Sequence, residues 1–312
     1  MSQHKGRIVV VGSINLDLVS KVPHFPRPGE TVRGTTFDSF SGGKGANQAV
    51  AVARLQHPVE MIGMLGNDRI GEELLDNLKR EGVGISHVGI APGSSGTATV
   101  LVEDSGENSI VIVPGANAAL TPDVIRSKAS VIASAGLVMT QLETPLDTIE
   151  TLAEICEEAS VPLMLDPAPA MNISSHILRK VSWFTPNETE AAFYAPDVDA
   201  VEELITRLST LGPTNVILKR GSAGSAIRLS GQTTVMIGAP RVEAVDTTAA
   251  GDSFNAAFAV GLMNLASPIE SGRFASAAAA ICVTRGGAQP SLAFRDEVEH
   301  ALAKGILAGE SL

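Results

Sequence analysis

Aromatic residues are scarce in this chain, with one Trp, one Tyr and nine Phe among 312 residues. A core for a chain of this length must therefore be built from aliphatic side chains and alanine. Cysteine is nearly absent as well. Cys156 and Cys282 are the two present, without metal-ligand spacing or a disulfide framework, which fits small buried thiols in a reducing compartment. No apolar run reaches the roughly 18 residues that span a membrane. The stretch Met1–Arg7 lacks the apolar core of a signal peptide, so a cytoplasmic protein without a membrane partner is expected. Positive charge is in deficit, 23 Lys and Arg against 34 Asp and Glu for a net −11, which argues against a nucleic-acid partner. A small phosphorylated ligand stays possible, because a helix end or a metal outweighs the global field locally. Two nucleotide signatures are also missing. No Gly-x-x-x-x-Gly-Lys-Ser/Thr is found, and Val10-Val11-Gly12-Ser13-Ile14-Asn15 lacks the spacing of Gly-x-Gly-x-x-Gly, which removes Walker-type nucleotide hydrolases and dinucleotide dehydrogenases.

What is present alternates. Short β-branched runs at Ile8–Val11, Glu60–Gly63, Leu137–Gln141, Pro162–Asp166, Trp183–Thr185 and Asn215–Lys219 read as strands. Helical patterns lie at Gly45–Leu55, Ile70–Glu81, Thr121–Ser134, Leu146–Ala159, Val201–Leu211, Gly251–Leu265 and Ile269–Thr284. Such alternation predicts an α/β fold, a parallel sheet covered by helices. Thr121-Pro122 marks a helix start, and Gly82 a helix stop. Two segments break the rhythm. Residues 14–40 hold Pro23, Pro26, Pro28 and an extended stretch, and residues 96–113 read as a hairpin turning at Asp104–Asn108. Both are expected as antiparallel strands set apart from the main sheet, forming a lid that excludes water from a site. An edge extension of the main sheet is the alternative. No linker or repeat divides residues 1–312, so one domain is expected.

The densest motif is Asp246-Thr247-Thr248-Ala249-Ala250-Gly251-Asp252-Ser253-Phe254 before an apolar helix. A small-residue turn opening a helix leaves N–H groups free at the positive end of the helix dipole, a place for phosphate. Asp252 at that opening is a poor phosphate ligand but suits taking a proton from an attacking hydroxyl; an ordinary N-cap is the structural alternative. Ser41-Gly42-Gly43-Lys44-Gly45-Ala46-Asn47-Gln48 allows close ligand approach beside Lys44 and Asn47. Asn15 and Asp17, two apart in an extended segment, point the same way and suit vicinal hydroxyls of a sugar. Asn187 and Glu190, three apart after Pro186, suit hydrated Mg²⁺ and phosphate oxygens, or else form a capping box.

In their order these pieces closely resemble the ribokinase branch of the PfkB family of carbohydrate kinases, over residues 7 to 300. Gly42–Ala49 is similar to the family's first signature and Asp246–Phe254 to its second. Gly29-Glu30-Thr31, Pro114–Asn117, Gln141–Glu143, Asp166–Ala170, Pro186–Glu190 and Thr284–Ser291 follow in matching order. The resemblance implies a Rossmann-like α/β/α core with a small β-sheet lid, transferring phosphate from MgATP to the 5-hydroxyl of D-ribose, with K⁺ as activator. It implies Asp252 as general base, and the N–H groups of Ala249, Ala250 and Gly251 as the anion hole. Asn15, Asp17, Gly43, Lys44, Asn47 and Glu143 would bind the sugar. Asn187, Glu190, Lys219, Gly221, Gly224, Gly251 and Ser276 would bind nucleotide and Mg²⁺. A K⁺ site, mainly of carbonyls, would involve Asp246, Thr248, Cys282, Arg285, Gly287 and the Ser291 side chain. A homodimer packed through the lid strands is implied too, with Ala98, Val100, Val102, Ile110 and Ile112 as candidate covered residues. Two departures stand out: Ala249 where many members have Gly, and Asp166 where Asn is frequent in similar chains. Other readings are the same chemistry on 2-deoxyribose, fructose or a nucleoside, or a non-catalytic sugar-binding regulator.

Overall fold

The computed structural model describes residues 6–264 and 267–304. Met1–Lys5 and Leu265, on which the leader and helix-end expectations fall, lie outside the described residues. The strands are β1 Ile8–Val11, β2 Asn15–Val22, β3 Thr36–Gly42, β4 Val59–Gly66, β5 Gly84–Ala91, β6 Gly96–Glu103, β7 Asn108–Val113, β8 Leu137–Thr140, β9 Leu163–Leu165, β10 Trp183–Phe184, β11 Asn215–Lys219, β12 Ser225–Arg228 and β13 Val235–Ile237. Nine of them form one sheet in the order β13-β12-β11-β10-β9-β8-β1-β4-β5. It is parallel from β11 to β5, and β12 and β13 run antiparallel at one edge.

Period-two alternation in β1 shows how the layers form. Ile8 and Val10 enter one hydrophobic cluster with the helices Lys44–Arg54, Ala250–Asn264 and Pro268–Cys282. Val9 and Val11 enter the other, with Leu146–Glu158 and Val201–Ser209. Strands buried on both faces need continuous apolar runs, and all four β1 residues are fully buried. The result is the three-layer α/β/α core that was expected. Alanine fills much of it: Ala256, Ala257, Ala259, Ala275, Ala277 and Ala278 are buried where the last two long helices pack against their neighbours.

The strand order reverses at β1, since β4 and β5 lie on one side of it and β8 to β11 on the other. Open α/β sheets bind ligands in the crevice beyond the carboxyl ends of the strands at such a switch point. Here that crevice is flanked by Gly12 after β1 and Gln141 after β8. A side chain at Gly12 would overlap Gln141 Oε1 and stand 3.0 Å from the Gly45 Cα.

The separate lid is a four-stranded sheet in the order β3-β2-β6-β7. The hairpins β2–β3 and β6–β7 are antiparallel, but β2 and β6 pair parallel, Asn15 to Gly96 through Val22 to Glu103. That corrects the expectation of a wholly antiparallel lid. The chain passes through β3, a helix, β4, a second helix and β5 between the two central strands, and so long a crossover permits a parallel pair. Register places Phe40, Asp17, Ala98 and Ile112 on one face of the lid. The helix expected over Thr121–Ser134 is two pieces, Pro122–Ser127 and Ala129–Ala133, broken at Lys128. No helix of the described residues is long and apolar enough to cross a membrane.

Candidate active site

The helix Ala250–Asn264 opens at the switch-point crevice. Ala249 is held at φ +59°, a left-handed conformation that non-glycine residues avoid at a cost of about 1–2 kcal/mol. Gly at this position would relieve it. The turn leaves the N–H groups of Ala249 and Gly251 at a cavity that both residues line. Neither finds a protein acceptor among the described residues, whereas Ala250 N–H closes onto the Thr247 carbonyl at 3.2 Å.

Asp252 is 5% exposed. Its Oδ2 accepts from Asn47 Nδ2 and its Oδ1 from Gln48 Nε2, both at 3.0 Å. Burial pushes its carboxyl up to about 6, and nearby Asp166 adds to the rise against the pull of Lys44 and the two amides. A carboxylate so placed is largely ionised at neutral pH yet basic enough to accept a proton. Asn47 Oδ1 is buried with no partner, an acceptor next to Asp252 that a ligand hydroxyl would satisfy.

The sugar-side candidates converge here. Gly43 caps the helix Lys44–Arg54 at φ +85° and ψ 129° without a side-chain cap, and its backbone lies against the β1–β2 connection. Asn15 Oδ1 accepts from Asn117 Nδ2 at 2.7 Å, while Asn117 Oδ1 takes the Ile14 N–H, so the Asn15 Nδ2 group is left free to donate. Glu143 accepts from Ser13 Oγ and Lys44 N. Asp17, on the inner face of the lid, is pushed up to about 7 by burial and by the charges of Glu143 and Asp252. Burial works against the Lys44 ammonium, but Asp252, Glu143, Asp166 and Glu190 surround it and hold it well above its ordinary value.

On the other side of Asp252 lies a cavity of about 760 Å³, in the range of cofactor and ligand pockets. Asn187, Glu190, Lys219, Gly221, Gly224, Gly251 and Ser276 all line it. Asn187 and Glu190 do form the capping box. Asn187 Oδ1 accepts from Glu190 N, and Glu190 accepts from Asn187 N and Nδ2 at 2.8–2.9 Å. The cap is therefore what the structure shows, and both capped side chains border the cavity. Burial raises the Glu190 carboxyl, and it forms no ion pair among the described residues, so a hydrated divalent cation fits there by charge.

The expected cation residues also come together. Asp246 Oδ1 accepts from Thr248 N and Oδ2 from Gly287 N, both at 2.8 Å. Burial would raise this carboxyl, but those bonds hold it below its ordinary value, and it staples the anion turn to the Arg285–Gly287 loop. Cys282 Sγ lies 3.0 Å from Ser291 Oγ and 3.7 Å from the Thr248 carbonyl, and Ser291 donates to the Ala288 carbonyl. Arg285 is occupied outward by Glu297. Side chains at 246, 285 and 291 thus each have partners within the protein.

Three residues of the site carried no sequence signal of their role. Gln48 bridges Asp252 and Asp166, Gln141 orients Gln48, and Asp166 pairs with Lys219. All are contacts between residues far apart in the chain.

A parallel α/β sheet with a helix opening on a buried carboxylate, between a nucleotide-sized cavity and a polar cluster under a lid, is the layout of an α/β phosphotransferase acting on a hydroxylated small molecule. Residues 5–295 match the pfkB family carbohydrate kinase model. The chain belongs to that family. It is 39% identical over 303 residues to the ribokinase of Haemophilus influenzae, covering 94% of this chain and 99% of that one. It is 40% identical over 299 residues to the ribokinase of Bacillus subtilis, covering 95% and 99%. Among solved structures, the ribokinase of Arabidopsis thaliana complexed with ribose and ATP superposes with a TM-score of 0.89 at 34% identity, covering 98% and 99%.

Proposed function

We propose that this protein transfers the γ-phosphoryl of ATP to the 5-hydroxyl of D-ribose. The observation that carries the reading is Asp252, a buried carboxylate fixed by two amides where the helix opening meets both the cavity and the polyol-binding cluster. Asp252 accepts the hydroxyl proton as the oxygen attacks phosphorus. The Ala249 and Gly251 N–H groups, and the Ala250 N–H once it releases Thr247, receive the charge of the transferring phosphoryl. Asn15, Asp17, Gly43, Lys44, Asn47 and Glu143 hold the sugar so that this hydroxyl lies in line. Asn187 and Glu190 would hold Mg²⁺, which when bound neutralises phosphate charge. Lys219, Gly221, Gly224 and Ser276 border the nucleotide. Carbonyls near Asp246, Thr248, Cys282 and Gly287 would take K⁺ and stiffen the anion turn. Asn15 and Asp17 favour ribose over 2-deoxyribose, since a missing hydroxyl leaves buried polar groups unpaired.

ADP release from MgATP is expected to depend on ribose and to rise when K⁺ replaces Na⁺. Turnover with 2-deoxyribose, fructose or adenosine in its place would keep the chemistry and change the substrate. Ribose binding without turnover with any acceptor would indicate a sensor on this fold.

A homodimer through the lid belongs to the same reading. Ile110 and Ile112 are 52% and 43% exposed on the face that also carries Asp17, and Val111 and Val113 on the opposite face are exposed too. An apolar edge strand left uncovered invites pairing. The full chain is expected to sediment as a dimer, and Ile110→Asp with Ile112→Asp as a monomer; a wild-type monomer at micromolar concentration overturns the assembly.

A further inference from the structure

Asp166 and Lys219 form a buried ion pair, Oδ1 to Nζ 2.8 Å, with Asp166 3% and Lys219 9% exposed. Such pairs contribute little net stability compared with apolar residues of similar size, so the pair calls for a reason beyond folding. Its surroundings supply one. The Lys219 ammonium stands 3.4 Å from where a Gly251 side chain would begin, directly beside the helix opening. The Lys219 backbone is bonded to the Pro186 carbonyl and bridges to Asn187, so it is fixed relative to the nucleotide-side capping box. The second Asp166 oxygen, Oδ2, accepts from Gln48 Nε2 at 3.1 Å, and the same nitrogen donates to Asp252 Oδ1. Gln141 Nε2 donates to Gln48 Oε1 at 2.8 Å and so decides which end of the Gln48 amide faces the two carboxylates.

We propose that Asp166 is a positioning residue for phosphoryl transfer: one of its oxygens holds the Lys219 ammonium beside the Gly251 opening, and the other fixes the Asp252 carboxylate through Gln48. The inference rests on the kinase reading above. Lys219 then faces the cavity beside the Gly251 opening, and its position and that of the base are set by a single carboxylate. In this chain both oxygens of residue 166 face donors, Lys219 Nζ and Gln48 Nε2, so a carboxylate matches the position here although Asn is frequent there in similar chains. An asparagine there presents one acceptor and one N–H, so either Lys219 or Gln48 loses its partner.

The test is a double-mutant cycle on the full chain, using whichever sugar the wild type phosphorylates. Lys219→Met is expected to lower kcat about 100-fold, the scale of losing one charge-stabilising donor. Asp166→Asn is expected to lower it at least about tenfold, the effect of misplacing rather than removing groups. The KM for sugar should stay within about threefold in both, because neither residue is among those proposed to hold the sugar hydroxyls. Asp166→Asn/Lys219→Met should be no slower than Lys219→Met alone, and should melt close to the wild type because no buried charge is left unpaired. Multiplying effects, a rise in KM with kcat unchanged, or wild-type kcat in either single variant or in the double variant overturns the proposal. If Asp166→Asn alone fails to fold, the double variant decides: kcat matching Lys219→Met supports the proposal and wild-type kcat overturns it. A wild type that phosphorylates no sugar strikes instead at the kinase reading.

Discussion

Asp252→Asn should lower kcat with ribose by at least about 100-fold at pH 8 while changing ribose binding by less than about threefold, the low end of what a general base contributes. Both carboxylate oxygens of Asp252 accept from amide nitrogens, Asn47 Nδ2 and Gln48 Nε2. An asparagine is isosteric, but its own N–H₂ must face one of those donors, so it cannot accept a proton and it loosens one amide. The pH profile separates the two effects. With the carboxyl pushed up to about 6, the catalytically competent form of the wild type is the ionised one. Its kcat/KM should therefore fall as pH drops through about 6, by up to tenfold per unit. The asparagine variant has no such group, so this component should vanish from its profile. Steady-state rates between pH 5 and 9 check this. An unchanged acid limb in the variant, or near-normal turnover at pH 8, removes Asp252 from proton transfer.

How far the sequence could be read follows from what each feature depends on. β1 and β11 were legible to the residue at Ile8–Val11 and Asn215–Lys219, because strands buried on both faces need unbroken β-branched runs. β5 was not. Its Gly84-Ile85-Ser86-His87-Val88-Gly89-Ile90-Ala91 is mostly half-buried at the sheet edge, so no apolar period had to be kept. The antiparallel pair β12 and β13 is four and three residues long, too short to show a period. In the site, Asn47, Gly251 and Asp252 sit in compact motifs whose local chemistry is visible. The Asp166–Lys219 pair spans 53 positions and the Gln48–Asp252 bond 204. Such contacts exist only because strands distant in the chain end at one crevice. The capping box at Asn187 shows a limit of another kind. A helix cap and a ligand-facing pair require the same residues at the same spacing, so sequence alone could not single out the cap that the structure shows.

Gly43→Ala should be the most damaging single-carbon change in the sugar half of the site. At φ +85° a side chain is strained by about 1–2 kcal/mol before any contact is considered. The new Cβ would also lie 2.7 Å from Asn15 N, 2.9 Å from the Ser13 carbonyl and 3.0 Å from the Ile14 Cα. All three are backbone atoms of the β1–β2 connection, so no rotamer change can make room. Either the glycine turn or the segment carrying Asn15 and Asp17 must move. Overpacking adds about 1–3 kcal/mol, which brings the expected loss of stability to roughly 3 kcal/mol. Because Asn15 and Asn47 lie on the two sides of that contact, a shift of about 1 Å should also reduce kcat/KM for ribose about 100-fold. Gly82→Ala is the control. Gly82 has a similar φ of +79° but no atom within 4 Å of its would-be side chain, and it follows a helix end and does not line the cavity. It should lose about 1 kcal/mol with unchanged kinetics. Thermal melts and ribose kinetics on the two variants separate strain from close approach. If both lose stability equally and neither loses ribose affinity, Gly43 serves only its own turn and does not set the distance between the two walls of the sugar site.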